Sequence, residues 1–126
     1  MAIASLELQK TVFALLSENY PVYEVVPPNT PMPYITIGEE ILTTSNTKTH
    51  MRTVHNITIH TWSKGKSSAT SKIMNDYVVQ TLLKGFLVNG FYLDKITLEM
   101  LTTFKEEATD GTIFHGVLQF EIILTN

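Results

Sequence analysis

At 126 residues, with 44% hydrophobic and 17% charged side chains, the chain has the size and composition of one globular domain, which excludes wholesale disorder. It contains no cysteine, which excludes disulfides, thiolate metal ligands and thiol nucleophiles. Nine Lys plus Arg against twelve Asp plus Glu give a net charge of −3, the wrong sign for a domain whose main work is gripping nucleic acid. The opening Met1-Ala-Ile-Ala-Ser-Leu-Glu has neither a basic stretch nor an uninterrupted apolar one, so no secretory signal is expected there. No apolar run approaches the ~20 residues that cross a bilayer, so a soluble protein is expected.

In chain order, Ala2 to Ser17 reads as an amphipathic helix, with Leu6, Leu8, Val12, Phe13, Leu15 and Leu16 covering the apolar half of the wheel. Pro21 ends it and introduces a short extended piece, Val22 to Val26. Pro27 to Pro33 holds four of the five prolines and must be a surface connection, because proline cannot serve an interior ladder. Tyr34 to Leu42 alternates, Ile35 and Ile37 sharing one face, which predicts a strand. Thr43 to His50 has no apolar side chain and fits a flexible loop or a hairpin arm projecting beyond the core. Arg52 to Trp62 is rich in β-branched residues and predicts a second long strand, with Ile57 and Ile59 on one face.

The Ser/Lys/Gly-rich stretch Ser63 to Ser71 leads into a second helix, capped by Ser67 or Ser68 and stopped at Gly85. Its expected core stripe is Ile73, Met74, Tyr77, Val78 and Leu82. On the opposite side Lys72, Asp76, Val79 and Leu83 follow at helical spacing. Val79 and Leu83 leave apolar groups on a wet face, which makes these four residues the candidates for a subunit contact. Asn89-Gly90 marks a turn, and Phe91 to Leu101 a strand with Ile96, Leu98 and Met100 on one side. Asp110-Gly111 joins its continuation to a last strand, Thr112 to Leu124, in which Phe114, Leu118, Phe120, Ile122 and Leu124 alternate inward with Gly116. The expected fold is α+β over one domain: a mainly antiparallel sheet with two α-helices packed on one face, a two-layer sandwich.

Chemistry is thinly represented. Gly65-Lys66-Ser67 imitates the end of a phosphate-binding loop, but the required earlier glycine is His60. His55 and His60 are five apart on one predicted strand and face opposite sides, so they cannot share a metal; His115 lies on the outward face of the last strand. Glu39-Glu40 and Glu106-Glu107 are strand neighbours that point apart, unlike the converging carboxylates that acid–base chemistry needs. Trp62, the only tryptophan, is expected to pin a strand end against a helix, its indole N–H bonded to a backbone acceptor. No catalytic group, cofactor or metal site emerges.

Four passages together resemble one family. They are Val22-Tyr23-Glu24-Val25-Val26-Pro27, Pro33-Tyr34-Ile35-Thr36-Ile37-Gly38, Ile59-His60-Thr61-Trp62-Ser63, and the closing Asp110-Gly111-Thr112 with His115-Gly116. In order and spacing, across nearly the whole chain, they resemble the tail-completion, or tail-to-head joining, proteins of long non-contractile-tailed bacteriophages. Glu24 departs from the aspartate expected after the tyrosine, and Thr43 to His50 carries no family motif.

The resemblance implies a structural virion protein and no enzyme. Such subunits form a ring, usually hexameric, that caps the tail tube at its head-proximal end, stops tube polymerisation and offers a docking surface to the capsid connector. Its implied partners are the tail tube protein, the connector (stopper) protein and its own copies, with DNA only in transit and no membrane. Six copies at −3 each sum to −18, a ring that as a whole does not attract the passing duplex. The polar arm residues Thr44, Ser45, Asn46, Thr47, Lys48, Thr49 and His50 are the candidates for contact with a neighbouring subunit or the tube. The alternatives are a capsid-side connector stopper or adaptor, and a small-ligand-binding α/β sandwich.

Overall fold

The computed structural model describes residues 3–126. In the first helix, α1 (Ser5–Leu16), the buried residues are Leu8, Val12 and Leu16, which with buried Ala4 recur every fourth position and form one ridge against the core. The predicted start at Ala2 lies outside the described residues. Leu6 and Phe13, expected in the apolar half, fall beside this ridge and are 61% and 40% exposed. The helix stops where the Ser17 hydroxyl donates to the Phe13 carbonyl at 2.6 Å, and the Tyr77 hydroxyl lies 3.0 and 3.2 Å from the Leu15 and Leu16 carbonyls. The Phe13 and Leu15 carbonyls also accept the backbone N–H groups of Ser17 and Glu18, at 3.0 and 3.5 Å, and Tyr77 adds a side-chain donor at the Leu16 carbonyl of the last turn.

The extended piece after Pro21 supplies only a two-residue strand, β1 (Val22–Tyr23), which runs parallel to the start of β2 (Tyr34–Thr44). The remaining strands are β3 (Arg52–Gly65), β4 (Tyr92–Ala108) and β5 (Gly111–Thr125), and the sheet order is β1-β2-β3-β5-β4. All pairings beyond β1 are antiparallel. The β4–β5 hairpin closes as the Asp-Gly signal predicts, with Ala108 paired to Gly111 and Gly111 at φ +147°.

The second helix, α2 (Ala69–Leu83), lies with α1 on one face of the sheet. Its N-cap is Ser68, which makes no side-chain cap bond; the Ser67 hydroxyl instead accepts from the Ala69 N–H at 3.3 Å. Gly85, at φ +84°, follows its last turn, as the sequence predicts. Between the layers Leu8, Val12, Leu16, Ile35, Ile59, Met74, Val78, Leu82, Leu118, Phe120, Ile122 and Leu124 make one hydrophobic cluster. Each fully buried side chain of this kind contributes roughly 1.5–3 kcal/mol of transfer free energy. The α+β, two-layer architecture is the one the residue pattern implies.

Bulges redirect individual side chains. In β4 the register shifts between Leu98 and Met100, so Leu98 pairs with Phe120 whereas Met100 pairs with Gln119. Ile96 and Leu98 therefore reach the core, and Met100, expected beside them, turns to the opposite face and is 45% exposed. In β2 an irregularity between Ile37 and Glu40 sends the Glu40 carboxylate to the helix-facing side, where it meets His55.

Candidate functional site

The face of α2 that meets the sheet is set by polar residues. Ser71, Met74, Asn75, Val78 and Leu82 are buried, so the helix is rotated relative to the stripe expected from its apolar residues. Ile73, expected inside, is 63% exposed. Opposite Asn75 stands Gly116, where an added Cβ would run into Thr61 Oγ1 and Asn75 Oδ1. The missing side chain gives Asn75 room to accept the Thr61 hydroxyl at 2.6 Å and donate to Thr103 Oγ1 at 3.3 Å. Ser63 and Ser71 bring two further buried hydroxyls to these facing elements.

Of the four contact candidates on the other side, Lys72 and Asp76 are exposed and Leu83 is 43% exposed. Val79 is different. It is half-buried and packs against the core cluster, because the rotation turns it toward the sheet. The exposed apolar groups of this helix are therefore Ile73 and Leu83, which flank Asp76.

The arm is a true hairpin loop. Thr43 and Thr44 complete β2, paired with Val54 and Thr53, and residues 45–51 form the connection. Its turn is closed by its own bonds: Thr47 N–H donates to the His50 carbonyl at 3.0 Å, and His50 N–H to Thr47 Oγ1 at 3.0 Å. The base is clamped from the chain's end, where Met51 N–H donates to Asn126 Oδ1 at 2.9 Å and Asn126 N–H to the Met51 carbonyl at 3.1 Å. Thr44 through His50 are all exposed. Polar residues can form this projection because its backbone groups bond locally or meet water.

The sheet face away from the helices carries a belt of rings that the sequence reading did not foresee. Every strand contributes, Tyr23, Tyr34, Trp62, His115 and Phe104 in spatial order, and β3 adds a second ring, His60. Trp62 thus lies on the side opposite to the one expected, and its indole N–H donates to Thr36 Oγ1 at 3.1 Å instead of to backbone. The His115 ring stacks on it, with centroids 3.7 Å apart and planes 9° from parallel. His60 Nδ1 lies 2.7 Å from His115 Nε2. Burial lowers the pKa of both imidazoles, opposed by Glu39 at His60 and by Glu106 at His115, where His60 itself depresses the value further. Only the register of three strands brings these residues together; their alternation along β3 was the available signal.

His55, as expected, faces away from His60: it is fully buried on the helix side, between Glu40 Oε2 at 2.9 Å and Thr53 Oγ1 at 2.8 Å. Among the described residues no three His, Asp or Glu converge as a metal site would require. No helix among them is long and apolar enough to cross a membrane. A groove of about 530 Å³ lies between α1 and β1, lined by Leu6, Phe13, Val22, Tyr23 and Val25. The polar groups at its edge are engaged with one another, Gln9 with Glu24 and Lys10 with Glu7. At the far end, Lys64 holds Asp110 at 3.0 Å on the β4–β5 turn; that hydrogen bond lowers the Asp110 pKa.

These features define a small α+β protein that offers surfaces, with apolar side chains left outside on α1, α2 and β4. The chain belongs to the family described as tail completion protein gp17, whose model matches residues 3–125. Among solved structures it is similar to a chain in the virion of a native gene transfer agent particle: 20% identity, a TM-score of 0.72, and coverage of 98% of this chain and 92% of that one. At that identity the likeness shows a shared fold. The structure of bacteriophage SPP1 gp17 protein matches at 19% identity over 94% of this chain and 84% of that one, with a TM-score of 0.45. No curated protein sequence matches. Family membership makes this a tail-completion protein, with a structural role.

Proposed function

We propose that this protein is a tail terminator: the whole chain acts as one domain, and copies of it close into a hexameric ring on the head-proximal end of the tail tube. The ring stops tube polymerisation, and the capsid connector docks on it after assembly in the host cytoplasm. DNA passes through the opening, and the negative sum charge leaves the duplex free to move. Beside family membership, the contrast between the two margins of the sheet supports this role.

At one margin the two-residue β1 covers only the start of β2, and the apolar groove beside α1 exposes Leu6, Phe13 and Val25. At the other, β4 pairs on one side only over its seventeen residues and exposes Tyr92, Met100, Leu101 and Phe104. Two different apolar surfaces at opposite margins suit head-to-tail association, which closes into a ring when the rotation allows. A long, apolar strand edge is a liability in a protein that works alone.

Electron microscopy of particles made without the protein tests this role. Tails detached from full heads, or tails of irregular length, are expected; normal virions would overturn it. Purified protein is expected to bind tail tubes, whereas binding to portal–adaptor complexes alone would place it on the capsid side. Within the ring, the exposed face of α2, with Lys72, Asp76 and Leu83, is proposed as a subunit contact. Ile73→Glu with Leu83→Lys is expected to abolish ring formation, read by light scattering, while the thermal midpoint stays unchanged. Deleting Thr44 to His50 and joining the strands by a short Asn-Gly turn is expected to leave the fold intact and abolish tail joining in a complementation assay.

A further inference from the structure

The pair at the centre of the open face has an unusual proton count. Two neutral imidazoles carry two N–H protons. One lies in the 2.7 Å contact between His60 Nδ1 and His115 Nε2, and the other sits on the remote nitrogen of whichever ring accepts. A first added proton goes to the free remote nitrogen and leaves the contact intact, now charge-assisted. A second must go to the accepting nitrogen of the contact itself, so that two N–H groups of two cations face each other. That arrangement cannot persist.

We propose that His60 and His115 form a proton-operated latch, which holds the ring belt of the open sheet face together at neutral pH and releases it in acid. Both rings are tied to neighbours on the open face. His115 stacks on Trp62 at 3.7 Å, with the Phe104 ring tilted 44° to it at 6.0 Å, and His60 lies over Gly38, where an added Cβ would come within 2.7 Å of its Nε2. Release of His115 therefore unstacks Trp62, the one tryptophan of the chain.

The groups around the pair set where it acts. Glu39 on β2 and Glu106 on β4 both favour protonation; β2 also brings Tyr34 and Thr36, and the neighbours of the pair on β5 are uncharged Ile113 and Val117. Lys64, farther along β3, is held by Asp110. Burial outweighs both carboxylates, so each ring titrates below the ordinary histidine value of 6.5. At these two rings the unfolded chain then binds more protons below that value, so their contribution to stability is full above pH 6.5 and declines as pH falls toward the folded midpoints.

The test is a titration of the intact protein from pH 8 downward, following histidine ring resonances by NMR and Trp62 emission by fluorescence. Two resonances are expected to move below pH 6.5 in two coupled steps, with the emission change on the lower step. His115→Gln should abolish that emission change. His60→Gln should raise the His115 midpoint and reduce its titration to one step. Independent titration of both histidines at the ordinary value overturns the latch, as does an unchanged emission curve in His115→Gln. So does an emission change that coincides with loss of the circular dichroism signal, since the device is local.

Discussion

Gly116→Ala is expected to lower stability by about 3 kcal/mol, one of the largest effects of a single methyl group in this chain. The added carbon would overlap Thr61 Oγ1 and Asn75 Oδ1, which are both buried and bonded to each other at 2.6 Å. Neither can retreat: Thr61 is fixed in the middle of β3, and Asn75 sits in the packed face of α2. Either the helix lifts off the sheet or the hydrogen bond breaks and leaves buried polar groups unpaired. Overpacking of this kind costs about 1–3 kcal/mol, and an unpaired buried group about as much again. A thermal melt should show a midpoint lower by roughly 10 °C for a chain of this size. In the double variant with Asn75→Ala the second change should cost less than it does alone, because the clash has lost one of its partners. An unchanged midpoint in Gly116→Ala would show that α2 does not rest on the sheet at this point.

Glu40→Ala is expected to cost about 2 kcal/mol by a different route. His55 is fully buried, and both ring nitrogens are engaged, Nδ1 with Glu40 and Nε2 with Thr53. Removing the carboxylate strands one ring nitrogen in an apolar layer with no replacement partner. Glu40→Gln keeps an acceptor at nearly the same place and should recover about half of the loss. Urea unfolding at neutral pH separates the three proteins: the midpoint should fall most for alanine and less for glutamine, with the slope unchanged. Equal midpoints for alanine and wild type would mean that water reaches the imidazole and supplies the missing bond.

Each of these sites combines a feature legible in one dimension with one that is not. Alternation along residues 112–124 identifies the inward face of β5, and Gly116 is visibly part of it. Why a glycine stands there becomes apparent only with Asn75 opposite. The same contact explains the rotation of α2. A helix read from its apolar residues turns Ile73 inward, but the space above Gly116 accepts a hydrogen-bonded amide, and Asn75 and Ser71 take the buried positions. Val79 moves toward the core as a consequence, and Ile73 is left in water at 63% exposure. Met100 illustrates a second limit: one extra residue in β4 reverses the side on which every later side chain emerges, and bulges have no reliable local signature.

Element identity and order were in the amino-acid sequence because they follow from period and punctuation. Two amphipathic stretches, alternating runs and the Asp-Gly and proline signals name the elements, and four short passages in order name the family. Which residues meet was decided by tertiary structure alone. Glu40 with His55, Asn75 with Gly116, and His60 and Trp62 with His115 lie far apart along the chain and depend on strand order, register and bulges. These in turn are chosen by the packing of two layers as a whole. A short window can report that a residue is apolar or small, but what faces it is a property of the complete fold.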